Sequence, residues 1–212
     1  SLTTSALLTA LLFSATAATA QVRITEVAPW SSGDSTVGAD WFELTNFGSS
    51  AVDITGWRVD DSSASFGASL ALNGVTSIGA GQSVIFIEST GAANDLFRSN
   101  WFGSASYAGV VIGNYNGSGI GLSTGGDAVN IYNASGVLQA NVSFGASDAS
   151  SPFQTFDNSA GLNNVTLSPL SVVGTNGAYL TASGFEIGSP SLVPEPETYA
   201  MLLAGLGLLG SI

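Results

Sequence analysis

At 212 residues the chain has room for one domain plus targeting segments, and 15 carboxylates against three cationic side chains give it a formal charge of −12. It holds no Cys, His or Lys, so Arg23, Arg58 and Arg98 are its only positive side chains. Disulfides, thiolate and imidazole metal ligands, imidazole proton shuttles and lysine Schiff bases are excluded, and nucleic acid, gripped through Lys and Arg on its phosphates, is not an expected partner.

With 45% hydrophobic and only 8% charged residues, the sequence is too apolar for disorder and too poor in charge for a helical cytosolic domain. Its negative field also repels anionic lipid surfaces and acidic polysaccharides unless a divalent cation bridges them. Residues 2–20 begin with an apolar stretch over 6–13 and pass into small residues. Ala18-Thr19-Ala20 has the A-x-A form that a signal peptidase accepts, which makes Ala18 and Ala20 the predicted cleavage signal and Gln21 the mature start. No initiator Met or positive n-region precedes this stretch, so residues 1–20 read as a signal peptide incomplete at its N-terminus.

From residue 21 to about residue 190, short strands are cut by turn signals. In Val22-Arg23-Ile24-Thr25-Glu26-Val27, alternation puts Val22, Ile24 and Glu26 on one face, where Glu26 breaks the apolar pattern. Trp41-Phe42-Glu43-Leu44-Thr45 alternates more cleanly, with Phe42 and Leu44 pointing inward. Residues 46–50 form a turn, residues 52–59 a further strand, and residues 60–63 close it. Residues 83–88 are almost continuously apolar, which predicts a strand buried on both faces. Two alternating runs, 128–132 and 137–144, flank Asn133-Ala134-Ser135-Gly136 and predict a hairpin. No long stretch repeats every 3.6 residues, and only residues 93–102 could hold a helical turn or two. Strands at this spacing imply an all-β sandwich.

Ile24-Thr25-Glu26-Val27, Trp41-Phe42-Glu43-Leu44 and Asp53-Ile54-Thr55-Gly56-Trp57, followed by SIGAGQSVIFIES and GDAVNIYNASGVL, resemble the lamin tail domain over about residues 22–144. The likeness fades between residues 90 and 119, as it would across an insertion. The resemblance implies an immunoglobulin-like β-sandwich over residues 21–147, with residues 148–192 as a strand-and-loop extension of the same domain. No nuclear role transfers with the fold.

Further on, Pro194, Glu195 and Pro196 set an extended segment, since neither proline can donate a backbone hydrogen bond. The uncharged apolar run after them, residues 199–212, is shorter than the roughly 20 residues that cross a bilayer. Residues 193–212 resemble the PEP-CTERM sorting signal of Gram-negative bacteria, with its membrane helix cut short. That resemblance implies passage through export machinery, recognition by exosortase (a membrane enzyme), and transient membrane anchoring through residues 199–212. Hydrophobic helical segments are thus expected at both termini.

Candidate sites are few. Trp30, in a Pro-Trp-Ser-Ser-Gly loop, is the expected ligand-facing aromatic, whereas Trp41, Trp57 and Trp101, which could form a sugar-binding platform, read rather as core or edge packing residues. Asp34, Asp40, Asp60 and Asp61 could surround Ca²⁺ if their loops converge. No EF-hand spacing supports this, solvated turn aspartates are the plainer reading, and no metal or cofactor is expected. A glycoside hydrolase needs only two carboxylates, yet no Glu has a recognisable catalytic setting. The expected function is an exported, non-catalytic binding or structural protein of the cell surface or extracellular matrix, sorted by exosortase and associated with exopolysaccharide. The alternatives are an accessory module for a separate secreted nuclease or phosphatase and, further off, a carboxylate-based glycoside hydrolase.

Overall fold

The computed structural model describes residues 22–191, apart from residues 31, 32, 34, 118, 148 and 149. Ala18 and Ala20, the motif Pro194, Glu195 and Pro196, and both expected terminal helices lie outside the described residues. In chain order come β1 (Val22–Ala28), β2 (Trp41–Asn46), β3 (Val52–Asp53), β4 (Arg58–Asp60), β5 (Leu70–Ala71), β6 (Ser77–Ile78) and β7 (Ser83–Glu88). One nine-residue helix, α1 (Asn94–Phe102), separates these from β8 (Val111–Tyr115), β9 (Asp127–Tyr132) and β10 (Leu138–Phe144). The last strands are β11 (Phe153–Gln154), β12 (Phe156–Asp157), β13 (Val165–Leu167), β14 (Tyr179–Leu180) and β15 (Glu186–Gly188).

Two five-stranded sheets form the sandwich, one in the order β12-β1-β2-β7-β8 and the other β13-β10-β9-β4-β5. Between them lies an apolar core to which Val27, Phe42, Leu44, Val84 and Phe86 contribute from the first sheet, and Val59, Val129, Ile131 and Val142 from the second. The predicted hairpin is present as antiparallel β9 and β10. Phe42 and Leu44 point into this core, as their alternation requires.

Strands β7 and β8 pair in parallel, and a parallel pair needs a crossover rather than a tight turn. Here the crossover carries α1 across the outer face of the first sheet. That covering explains the continuous apolar character of β7: Val84 and Phe86 face the inner core, while Ile85 and Ile87 join an outer cluster with Trp41, Phe97 and Trp101. Close approach of β8 is possible because residue 113 is glycine; a Cβ there would stand 2.4 Å from Phe86 Cε1.

Residues 150–191 complete three layers. β12 adds an edge to the first sheet beside β1, and β13 lies parallel to β10 at the edge of the second. A small sheet, β11-β15-β14, contributes Phe153 and Tyr179 to the outer cluster beside α1.

The expected facing of Glu26 is corrected by a β-bulge. Ile24 lies opposite Leu44 but Glu26 lies opposite Glu43, so Thr25 is the extra residue in β1. The bulge reverses parity: Val22, Ile24 and then Val27 line the inner core, while Ala28 joins the outer cluster and Glu26 turns to that same outer side.

Candidate functional site

The outer face buries polar chemistry as well as rings. Glu26 and Glu43, opposite one another on β1 and β2, are only 1% and 2% exposed. Glu26 Oε1 accepts from Thr155 Oγ1 at 2.5 Å and from the Ser189 amide at 2.7 Å, while its Oε2 is buried with no partner among the described residues. Glu43 accepts from Thr25 Oγ1 at 2.5 Å and, through Oε2, from the Ser191 amide at 2.6 Å. Hydroxyls of Thr25, Thr45 and Ser83 continue this polar row across the sheet.

Neither carboxyl has a cationic partner among the described residues. Arg98 pairs with Asp95, Arg58 bonds to Ser69 and lies over the Phe66 ring, and Arg23 donates to the Val22 carbonyl. Burial, reinforced by the nearby charge of Glu43, pushes Glu26 up to about 8 despite its hydrogen bonds; burial alone pushes Glu43 up to about 7. Glu186, also buried, accepts from Asn100 Nδ2 at 2.5 Å and from the Thr36 amide at 3.1 Å, tying β15 to α1. Burial raises its pKa too.

Next to this acidic pair opens a cleft of about 380 Å³ whose walls include Trp101, Phe102, Tyr107, Tyr179, Pro190 and Ser191. Phe102 and Tyr107 stack with centroids 4.6 Å apart and planes 11° apart, and Tyr107 is 42% exposed. Trp101 and Tyr179 meet edge to face at 5.8 Å, and the Tyr179 hydroxyl donates to the Trp101 carbonyl at 2.9 Å. Trp101 Nε1 and Ser191 Oγ are buried without partners among the described residues. Aromatic walls with no charged lining group among the described residues suit an uncharged ring whose C–H faces pack on the aromatic faces.

The sequence model of the Lamin Tail Domain matches residues 15–146, more than half of the chain. The chain belongs to the lamin tail domain family. A second match, to the PEP-CTERM protein-sorting motif, covers residues 192–212. No curated protein and no solved structure matches the chain. The family is a non-catalytic, immunoglobulin-like domain, and the sorting motif indicates export to the bacterial cell surface with processing by exosortase, a membrane protein.

In this lamin tail domain the family match contains β1 through β10, whereas Tyr179, Pro190 and Ser191 lie beyond it. Trp101, Phe102 and Tyr107 come from the stretch between residues 90 and 119 where the resemblance fades. The cleft thus forms where α1 and the loop after it, inside the family match, meet residues 179–191 beyond it.

The expectation for Trp30 is overturned. Its ring is 1% exposed, stacks on Phe153 at 5.6 Å, and donates from Nε1 to the Gln154 carbonyl at 2.9 Å. The small-residue loop around it suggests exposure, but a segment more than 120 positions later covers it. Trp41, Trp57 and Trp101 are buried packing residues.

Asp34 lies outside the described residues. Asp40 is buried, not a solvated turn residue, and accepts from the Leu122 amide at 3.2 Å. Asp60 is buried as well, accepting from Ser63 Oγ and the Ser65 amide, while Asp61 accepts from the Ser63 amide as a turn residue does. The described residues contain no group of three acidic side chains able to hold a metal ion. Alternation in the sequence marks Glu26 as a misfit and sets no mark on Glu43, Phe102, Tyr107 or Tyr179. The misfit itself was the available signal, since an acid in an otherwise apolar strand must either reach solvent or find buried partners.

Proposed function

We propose that this lamin tail domain is a non-catalytic module of the Gram-negative cell envelope or extracellular matrix, and that it binds exopolysaccharide through the aromatic cleft. The observation that carries this reading is the exposed Tyr107 ring stacked on Phe102 in a cleft walled by Trp101 and Tyr179. A chain of charge −12 favours a neutral polysaccharide over an acidic one. The sorting motif supports the location, because it delivers the cleft to the surface where such polymers lie.

Titrating the full chain with soluble neutral and acidic polysaccharides, with and without Ca²⁺, tests the reading. A neutral polymer should bind independently of Ca²⁺, and Tyr107→Ala should weaken it about tenfold, equivalent to roughly 1.4 kcal/mol. Lack of binding to every polymer, or equal binding by Tyr107→Ala, would contradict it.

A further inference from the structure

The stretch that leads from the domain into the sorting tail is gripped by the buried acidic pair. Ser189 donates its amide to Glu26 and Ser191 donates its amide to Glu43, so two adjacent strands hold alternate residues of one segment. Gly188 makes this approach possible: a Cβ there would stand 2.5 Å from Glu26 Oε1 and 2.9 Å from Trp101 Cη2. Ser191 takes a φ of 63°, a left-handed backbone that a residue other than glycine keeps only when its surroundings impose it.

Two carboxylates opposite one another in a sheet have Cβ atoms about 4.5–5.5 Å apart. Buried together and both ionised, they would suffer desolvation and mutual repulsion at once. Thr155 and the Ser189 amide on Glu26, and Thr25, Thr45 and the Ser191 amide on Glu43, donate hydrogen bonds that favour the ionised forms. Burial outweighs them, and no cation faces the pair among the described residues. Asp157 on β12 adds a further negative charge near Glu26, Tyr179 on β14 is neutral, and Thr25, Thr45, Ser83 and Thr155 supply only hydroxyls. A proton on the pair removes the repulsion, and placed on Glu26 Oε2 it converts a bare buried oxygen into a neutral hydroxyl.

We propose that Glu26 and Glu43 hold one proton between them and with it clamp Ser189 and Ser191 to the sheet, and that loss of this proton releases the stem of the sorting tail. Pro194 follows Ser191 by three residues in sequence and Gly188 by six, so release back to Gly188 doubles the length of chain between the held segment and the motif. Protonation of the pair therefore sets how much chain before the sorting motif is held to the domain when a membrane enzyme approaches it. This inference draws on the family match to the tail and is independent of any ligand in the cleft.

Hydrogen exchange at the Ser189 and Ser191 amides of the full chain, corrected for the intrinsic pH dependence of exchange, tests the clamp between pH 6 and 9. Protection should fall at least tenfold across that range in the native sequence. Glu26→Gln/Glu43→Gln, which keeps carbonyl acceptors but cannot ionise, should show no such step. Flat protection in the native chain, or the same fall in the double variant, would overturn the proposal. Should the double variant fail to fold, carboxyl ¹³C titration of the native chain decides: a Glu26 or Glu43 signal moving above pH 6 supports the shared proton, and both moving near 4.5 overturns it.

Discussion

Phe42 and Glu43 are neighbours in β2 and both are buried, yet they face regions made on different terms. Phe42 points into the space between the two large sheets, where it stacks on Phe86 at 5.7 Å and meets Tyr115 at 5.6 Å among aliphatic side chains. Glu43 points to the other side, where rings, hydroxyls and acids share a layer with α1 and residues 150–191. The inner region is the sandwich that the family match spans. The outer region joins the other face of the same strands and α1, which lie inside the match, to residues 150–191, which lie beyond it, and it holds both the cleft and the acidic pair. The fold is thus carried on one face of the first sheet and the proposed functions on the other.

The sharpest break in that comparison is a cavity in the inner core. Phe42→Ala should destabilise by roughly 3–5 kcal/mol, read from urea unfolding. A cost below about 1 kcal/mol would mean that the inner core does not carry the fold.

The outer region should instead reveal itself through pH. Glu26 and Glu43 have folded-state values raised above the ordinary 4.5, so between that value and about 7 to 8 the native state binds more protons than the unfolded chain. The stability they contribute is complete below about pH 4.5 and is lost as pH rises through the folded values, at about 1.4 kcal/mol for each unit of displacement. Urea midpoints of the native chain should therefore fall from pH 5 to pH 8, and those of Glu26→Gln/Glu43→Gln should fall less. A native midpoint that rises over this range would contradict the buried pair.

A smaller effect separates buried from ligand-facing tryptophan. Trp30→Phe keeps the stack on Phe153 but removes the donor to the Gln154 carbonyl, and should lower stability by about 1 kcal/mol without changing polysaccharide binding. Weakened binding with unchanged stability would return Trp30 to the surface role that its loop composition suggests.

These contrasts also mark how far the sequence could be read. Strict alternation at Phe42 and Leu44, the unbroken apolar run of β7 and the Gly-containing hairpin loop each report a local, periodic requirement, and each corresponds to what the fold contains. Helix α1 was legible only as a short possibility, because its reason is the parallel pairing of β7 and β8 rather than its own periodicity. Glu26 could be seen as a misfit, but a one-residue bulge decides which way it faces, and no spacing rule announces a bulge. Trp30, Phe102, Tyr107 and Tyr179 depend on segments 5 to more than 120 positions away. Their exposure or burial is settled by which piece of chain covers which, and alternation within a strand carries no record of that.

Indole N–H resonances of the four tryptophans give the most direct test of the outer cleft as a glycan site. On adding a neutral oligosaccharide of the polymer that binds, the Trp101 Nε1–H signal should shift in a saturable way while those of Trp57, in the inner core, and Trp30, beneath β11, stay in place. A Trp101 signal unmoved at saturating sugar, or shifts of equal size at Trp57 and Trp30, would contradict the account.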